Sequence, residues 1–248
     1  MLFLKNKTDT IKRIPLKIIT VILVVLEVIK QVRNVIVGFD FYALPLHYCS
    51  LFVFFFPRAE FGSEELRKFF FPVAFMTAFT MSALFYFSPS SIIGSSSEFL
   101  FNDFSHFHSF TFHHLVILYV ILTIALKLYK PTKNDFKYLM IVMVIYVTIA
   151  IPFSHIVNTN YCNFLYSVLP PMEFIRVTCG QFIYSLVMFL VVGFGPSVVA
   201  ISYRLVYDKV TKKAQKVNLQ QIAINQGWQV QTQRLPVLKQ GILILLTP

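Results

Sequence analysis

The basic residues of this chain fall into alternate gaps between its apolar runs, and this alternation constrains its fold more than any other feature. Six runs are long and oily: Pro15–Val37, Phe39–Phe56, Phe69–Phe87, Phe107–Leu126, Tyr138–Ile156 and Gln181–Ile201. Of the 22 Lys and Arg, five lie before or at the start of the first run (Lys5, Lys7, Lys12, Arg13 and Lys17), three lie between Arg58 and Lys68, four between Lys127 and Lys137, and seven follow Tyr203. The rest of the chain keeps only Lys30, Arg33 and Arg176. Cytoplasmic loops of membrane proteins retain positive charge. The pattern predicts an all-α polytopic bundle of six transmembrane helices, with both termini in the cytoplasm and a multi-pass placement in the cell membrane.

A chain of 248 residues that is 56% hydrophobic and only 13% charged is not a soluble globular protein. Each crossing of the roughly 30 Å hydrocarbon layer takes about 20 apolar residues. Residues 1–205 are therefore read as one integral membrane domain, and 206–248 as a basic, then glutamine-rich, cytoplasmic tail that is poorly ordered. The net charge of +11 is dispersed over four segments with no soluble module to present it. Sidedness and anionic lipid headgroups account for it, so phospholipids and not nucleic acid are the expected partners. The oligomeric state is open.

The first run begins like a signal peptide but lacks a small-residue cleavage site and carries Glu27, Lys30 and Arg33, so it reads as a retained helix. Three cysteines are too few for a disulfide scaffold. Cys162 and Cys179 both fall between the fifth and sixth runs, and whether they pair is left open. Ser63 is placed to cap the third helix, with Glu64 and Glu65 in its first turn. The stretch Ser88–Ser97 is polar and reads as a loop over one mouth of the bundle.

Ionisable groups inside a bilayer cost about 2.5–3.5 kcal/mol each on insertion scales, so each asks for a reason. The segment Leu44-Pro45-Leu46-His47-Tyr48-Cys49-Ser50 comes first, because Pro45 removes a backbone hydrogen bond and loosens the second run. On a regular helix His47 and Cys49 point in nearly opposite directions, which argues against His47 as the base for Cys49. Next is the pair His113-His114, of which at least one is expected to look into the bundle, His114 being nearer Cys49 in depth. The third is His155 with Asn158, Asn160 and Tyr161, which offers polar groups at the depth of phospholipid carbonyls. Last is Glu27, with Lys30 at i+3 and Gln31 at i+4 to offset its burial.

A thiol with a neighbouring imidazole suits acyl transfer: the base raises the thiolate fraction, and an acyl-cysteine intermediate passes its acyl group to an alcohol or water. Three stretches, Leu44–Ser50, His113-His114 and Asn158-Thr159-Asn160-Tyr161, resemble in that order the YwaF-type family of bacterial integral membrane proteins. Transmembrane protein 164, an animal relative, is described as an acyltransferase of ether phospholipids with a cysteine nucleophile. The resemblance covers roughly residues 15–205. It implies Cys49 as the nucleophile, with His113 or His114 as its partner.

The sequence thus points to a lipid acyltransferase or acyl hydrolase with catalytic Cys49, His113 and His114, and with His47, Asn158, Asn160 and Tyr161 facing substrate. No metal or other cofactor is expected. Haem or metal held by His47, His114 and His155 is disfavoured because the histidines lack recognised ligand spacing. The competing class is a non-enzymatic small transporter or channel-like bundle whose buried His and Glu27 relay protons.

Overall fold

The computed structural model describes residues 7–87 and 104–225. The Ser88–Ser97 loop and the last part of the glutamine-rich tail lie outside the described residues. All regular structure among the described residues is helical: α1 (Asp9–Lys12), α2 (Ile14–Val37), α3 (Phe52–Phe61), α4 (Glu64–Phe87), α5 (Phe104–Ala125), α6 (Asp135–Ile156) and α7 (Pro170–Asn225). Four of them, α4 to α7, contain stretches long and apolar enough to cross a bilayer. The α2 helix has the length, 24 residues, but carries Lys17, Glu27, Lys30 and Arg33.

The second apolar run departs from its predicted form. Only its end is α-helical, where the ten-residue α3 begins at Phe52. The stretch between Gly38 and Phe52 is unwound, with short 3₁₀ turns at Phe41–Ala43 and Cys49–Leu51. Two residues set this break. Gly38 ends α2 at φ 140°, a region that side-chain-bearing residues avoid. Pro45 cannot donate to a helical ladder and forces the residue before it out of the α region. The premise that His47 and Cys49 point apart on a regular helix therefore does not hold.

Local signals elsewhere act as their chemistry requires. The Ser63 hydroxyl accepts from the Leu66 amide at the start of α4. Pro170 begins α7, where its missing N–H costs nothing. Within α7 the helical geometry breaks at Gly180 (φ 85°). The chain divides into two compact units at Ile201 and Ser202. In the second, α7 continues to Asn225 with an Arg204–Asp208 pair one turn apart.

In the first unit α3 and α5 pack on α2, and α4 packs on α3, α5 and α6. Phe52, Phe56, Val73, Ala74, Phe75 and Tyr119 are fully buried at the meeting of α3, α4 and α5. One ion pair locks that end of the bundle. Arg13 grips both oxygens of Glu60 at 3.1 Å and also donates to the Ala59 carbonyl. Tyr119 donates to the same carboxylate at 2.7 Å, and the Arg13 guanidinium lies 4.2 Å over the Phe71 ring. Glu60 is completely buried, so its charge depends on those partners.

Candidate functional site around Cys49

An unwound chain has lost its intrahelical hydrogen bonds, and each exposed carbonyl must find another partner. Between Asp40 and Leu46 the partners are mostly side chains from other elements. Asn34 Nδ2 donates to the Asp40 carbonyl at 3.1 Å, while its Oδ1 accepts from the Asp40 amide. Gln31 donates to the Ala43 carbonyl at 2.7 Å, and both residues come from the last turns of α2. Tyr161 donates to the Phe41 carbonyl. His47 Nε2 donates to the Tyr42 carbonyl at 3.1 Å. Tyr146 of α6 donates to the Leu46 carbonyl at 2.7 Å. The Leu44 carbonyl accepts from the Leu46 amide in a tight turn over Pro45.

The turn between α6 and α7 is built to support this segment. Asn158, Cys162 and Asn163 all have positive φ, a strained setting for residues with a Cβ. The Asn160 side chain accepts from the Leu165 and Tyr166 amides and donates to the Tyr166 carbonyl. Tyr184 donates to the Asn163 carbonyl. The result carries the Cys162 sulfur to 2.8 Å from the Tyr48 amide and 2.9 Å from the Tyr146 hydroxyl. Cys49, Cys162 and Cys179 are all free thiols.

Cys49 is half-buried, with the Ser50 hydroxyl and amide beside its sulfur, and it lies within electrostatic range of Glu27, Lys30 and Cys162. His47 is within the same range of Glu27, Lys30 and His113. Glu27 has the neighbours its spacing requires: Lys30 Nζ and Gln31 Nε2 each lie 2.8 Å from Oε1. The two adjacent histidines of α5 part company. His113 is buried, and its Nδ1 donates to the Ser109 carbonyl at 2.6 Å. A carbonyl only accepts, so the Nδ1 proton is fixed and the lone pair stands on Nε2, the form a general base needs. His114 makes the same bond to the Phe110 carbonyl but is exposed, between the Phe85 and Phe110 rings.

The profile of the TMEM164 family matches residues 1–203. The chain belongs to the TMEM164 family. No curated protein and no solved structure matches it. The match spans the whole of the first compact unit and stops at the boundary with the second.

In this TMEM164 family protein, Cys49 and His47 lie within electrostatic range of the Glu27–Lys30 pair, His113 lies within range of His47, and His114 is exposed. Asn158 is exposed, and Asn160 and Tyr161 spend their polar atoms on holding the turn and the unwound segment. His155 is exposed and reaches Ser185 at 3.3 Å. Sequence reasoning missed Tyr146, Cys162, Gln31 and Asn34 as the clamp on the Cys49 segment. A buried tyrosine in an otherwise apolar run was the one signal on offer, since its hydroxyl needs a partner. His108 is a buried residue of α5 facing Glu27.

Proposed function

We propose that this TMEM164 family membrane protein is a phospholipid-directed acyltransferase or acyl hydrolase with Cys49 as its nucleophile and His113 as the base. The observation that supports the reading is that Cys49 and His47, on a segment held out of helical form, lie within electrostatic range of buried Glu27 and its partner Lys30, with buried His113 within range of His47. His113 Nε2 takes the thiol proton, and the thiolate attacks the carbonyl carbon of a lipid ester. The ester C–O bond breaks, and the proton passes to the departing alkoxide. Cys49 then carries the acyl chain as a thioester.

Ser50 donors beside the sulfur meet the oxygen that becomes negative in the tetrahedral intermediate. His47 faces the bound lipid, Asn158 meets its headgroup, and Asn160 and Tyr161 act by keeping the turn in place. His114 has no part in the chemistry. In the proposed topology the second crossing combines the unwound segment with α3, giving six crossings with α2. The termini are cytoplasmic, and the Cys49 cluster opens to the opposite leaflet of the cell membrane. The basic segments at the Arg13 and Arg58 end support that sidedness.

The deciding experiment compares the lipidome of membranes bearing the wild type and Cys49→Ala. Acyl exchange that disappears with the thiol supports the reading, and a Cys49→Ala variant that remodels lipids as the wild type does rejects it.

A further inference from the structure

Beside the Cys49 cluster stands a buried acid–base pair with one atom of each partner unused. Glu27 is 4% exposed and commits Oε1 to Lys30 and Gln31. Its Oε2 lies 3.6 Å from Nε2 of His108, which is 7% exposed. Among the described residues neither Oε2 nor that Nε2 has a hydrogen-bond partner. The His108 ring is held in place by Phe112 at 5.5 Å and Phe104 at 6.0 Å. Buried polar atoms are satisfied in the great majority of cases. A carboxylate oxygen that only accepts and an imidazole N–H that donates, side by side, match a group that does both. A hydroxyl is such a group.

We propose that Glu27 and His108 form the acceptor half of the site, where they bind the hydroxyl that receives the acyl chain from Cys49. That hydroxyl belongs to a lysophospholipid or to water. The inference rests on Cys49 carrying the acyl group. The bound hydroxyl donates to Glu27 Oε2 and accepts from His108 Nε2–H. Glu27 takes its proton as the oxygen attacks the thioester carbonyl. A C–O bond forms, the C–S bond breaks, and the proton passes from Glu27 to the Cys49 thiolate, which regenerates the thiol. Glu27 and Lys30 are both within electrostatic range of Cys49.

The test uses the full chain in phosphatidylcholine nanodiscs with p-nitrophenyl butyrate. The wild type is expected to give a burst of p-nitrophenol, from acylation of Cys49, before a steady phase. Glu27→Gln and His108→Ala are expected to keep the burst while the steady phase slows about 10²-fold and butyryl-Cys49 accumulates on intact-mass analysis. His108→Gln, whose amide N–H reproduces the donor, is expected to recover part of the rate. Lysophosphatidylcholine added to the wild type identifies the source of the hydroxyl: new phosphatidylcholine means the lipid, free butyrate alone means water. Variants with a wild-type steady phase, or with burst and steady phase reduced alike, overturn the acceptor site and leave Cys49 standing. A wild type that forms no butyryl-Cys49 removes both.

Discussion

The Tyr146 hydroxyl lies 2.9 Å from the Cys162 sulfur and 2.7 Å from the Leu46 carbonyl oxygen. A carbonyl only accepts, so the single phenolic proton goes to Leu46 and the Cys162 thiol donates to the phenol oxygen. The sulfur in turn accepts from the Tyr48 amide at 2.8 Å. Every donor in this chain of bonds has an acceptor, and both ends of it grip the segment that carries His47 and Cys49.

Tyr146→Phe removes the middle of that chain and leaves the Leu46 carbonyl without its donor. The expected cost is about 1–3 kcal/mol, read as a lower melting temperature in detergent. Cys162→Ser keeps a donor and an acceptor at the position and is expected to lose less than Cys162→Ala. Equal losses for the two Cys162 variants would mean that the sulfur only fills space.

Thiol reactivity separates the cysteines. Burial pushes the Cys162 thiol, in the turn between two spans, up to about 12. The reactive form is the thiolate, so a raised value means that alkylation is lost until pH climbs well above the range of a free cysteine, about 8.5. Cys179 is exposed. A maleimide at neutral pH is expected to label Cys179 and spare Cys162, as peptide mass mapping would reveal. Labelling of both at one rate would contradict the burial of the turn.

At the other end of the bundle, Glu60→Ala leaves the Arg13 guanidinium with its principal partner gone. Breaking a buried pair from one side costs about 3–5 kcal/mol. Removing both partners is expected to cost less than the two single changes together, and a double-mutant cycle measures the difference. A coupling energy near zero would place the pair among exposed, weak ion pairs.

The two α5 histidines should behave differently. His113→Ala is expected to lower acyl transfer at least about 10²-fold, the scale of a lost general base. His114→Ala, at an exposed position, should leave the rate near wild type. Comparable losses at both positions would count against His113 as the base.

Much of the helical plan was legible because apolar runs and charge gaps are long-range features that local packing does not erase. Ser63 and the Glu27–Lys30–Gln31 spacing also read directly, since each acts within a turn or two of itself. The second run misled because its apolar composition suits a helix, whereas Gly38 and Pro45 together break one. Hydropathy does not register that conflict. The roles of Glu60, Tyr146 and Cys162 were hidden for a different reason. Their partners lie 47, 100 and 114 residues away in Arg13, Leu46 and Tyr48, and no periodicity reports a contact of that range. His113 was separable from His114 only once α5 had neighbours, because that run is apolar on every face.

Ten residues of α3 rise about 15 Å, half the thickness of the hydrocarbon layer. The unwound stretch before it depends on borrowed partners. Amide deuteration should therefore enter the fold between Gly38 and Phe52 ahead of the flanking helices, and a change in any lending side chain should quicken it there without loosening α4 or α6.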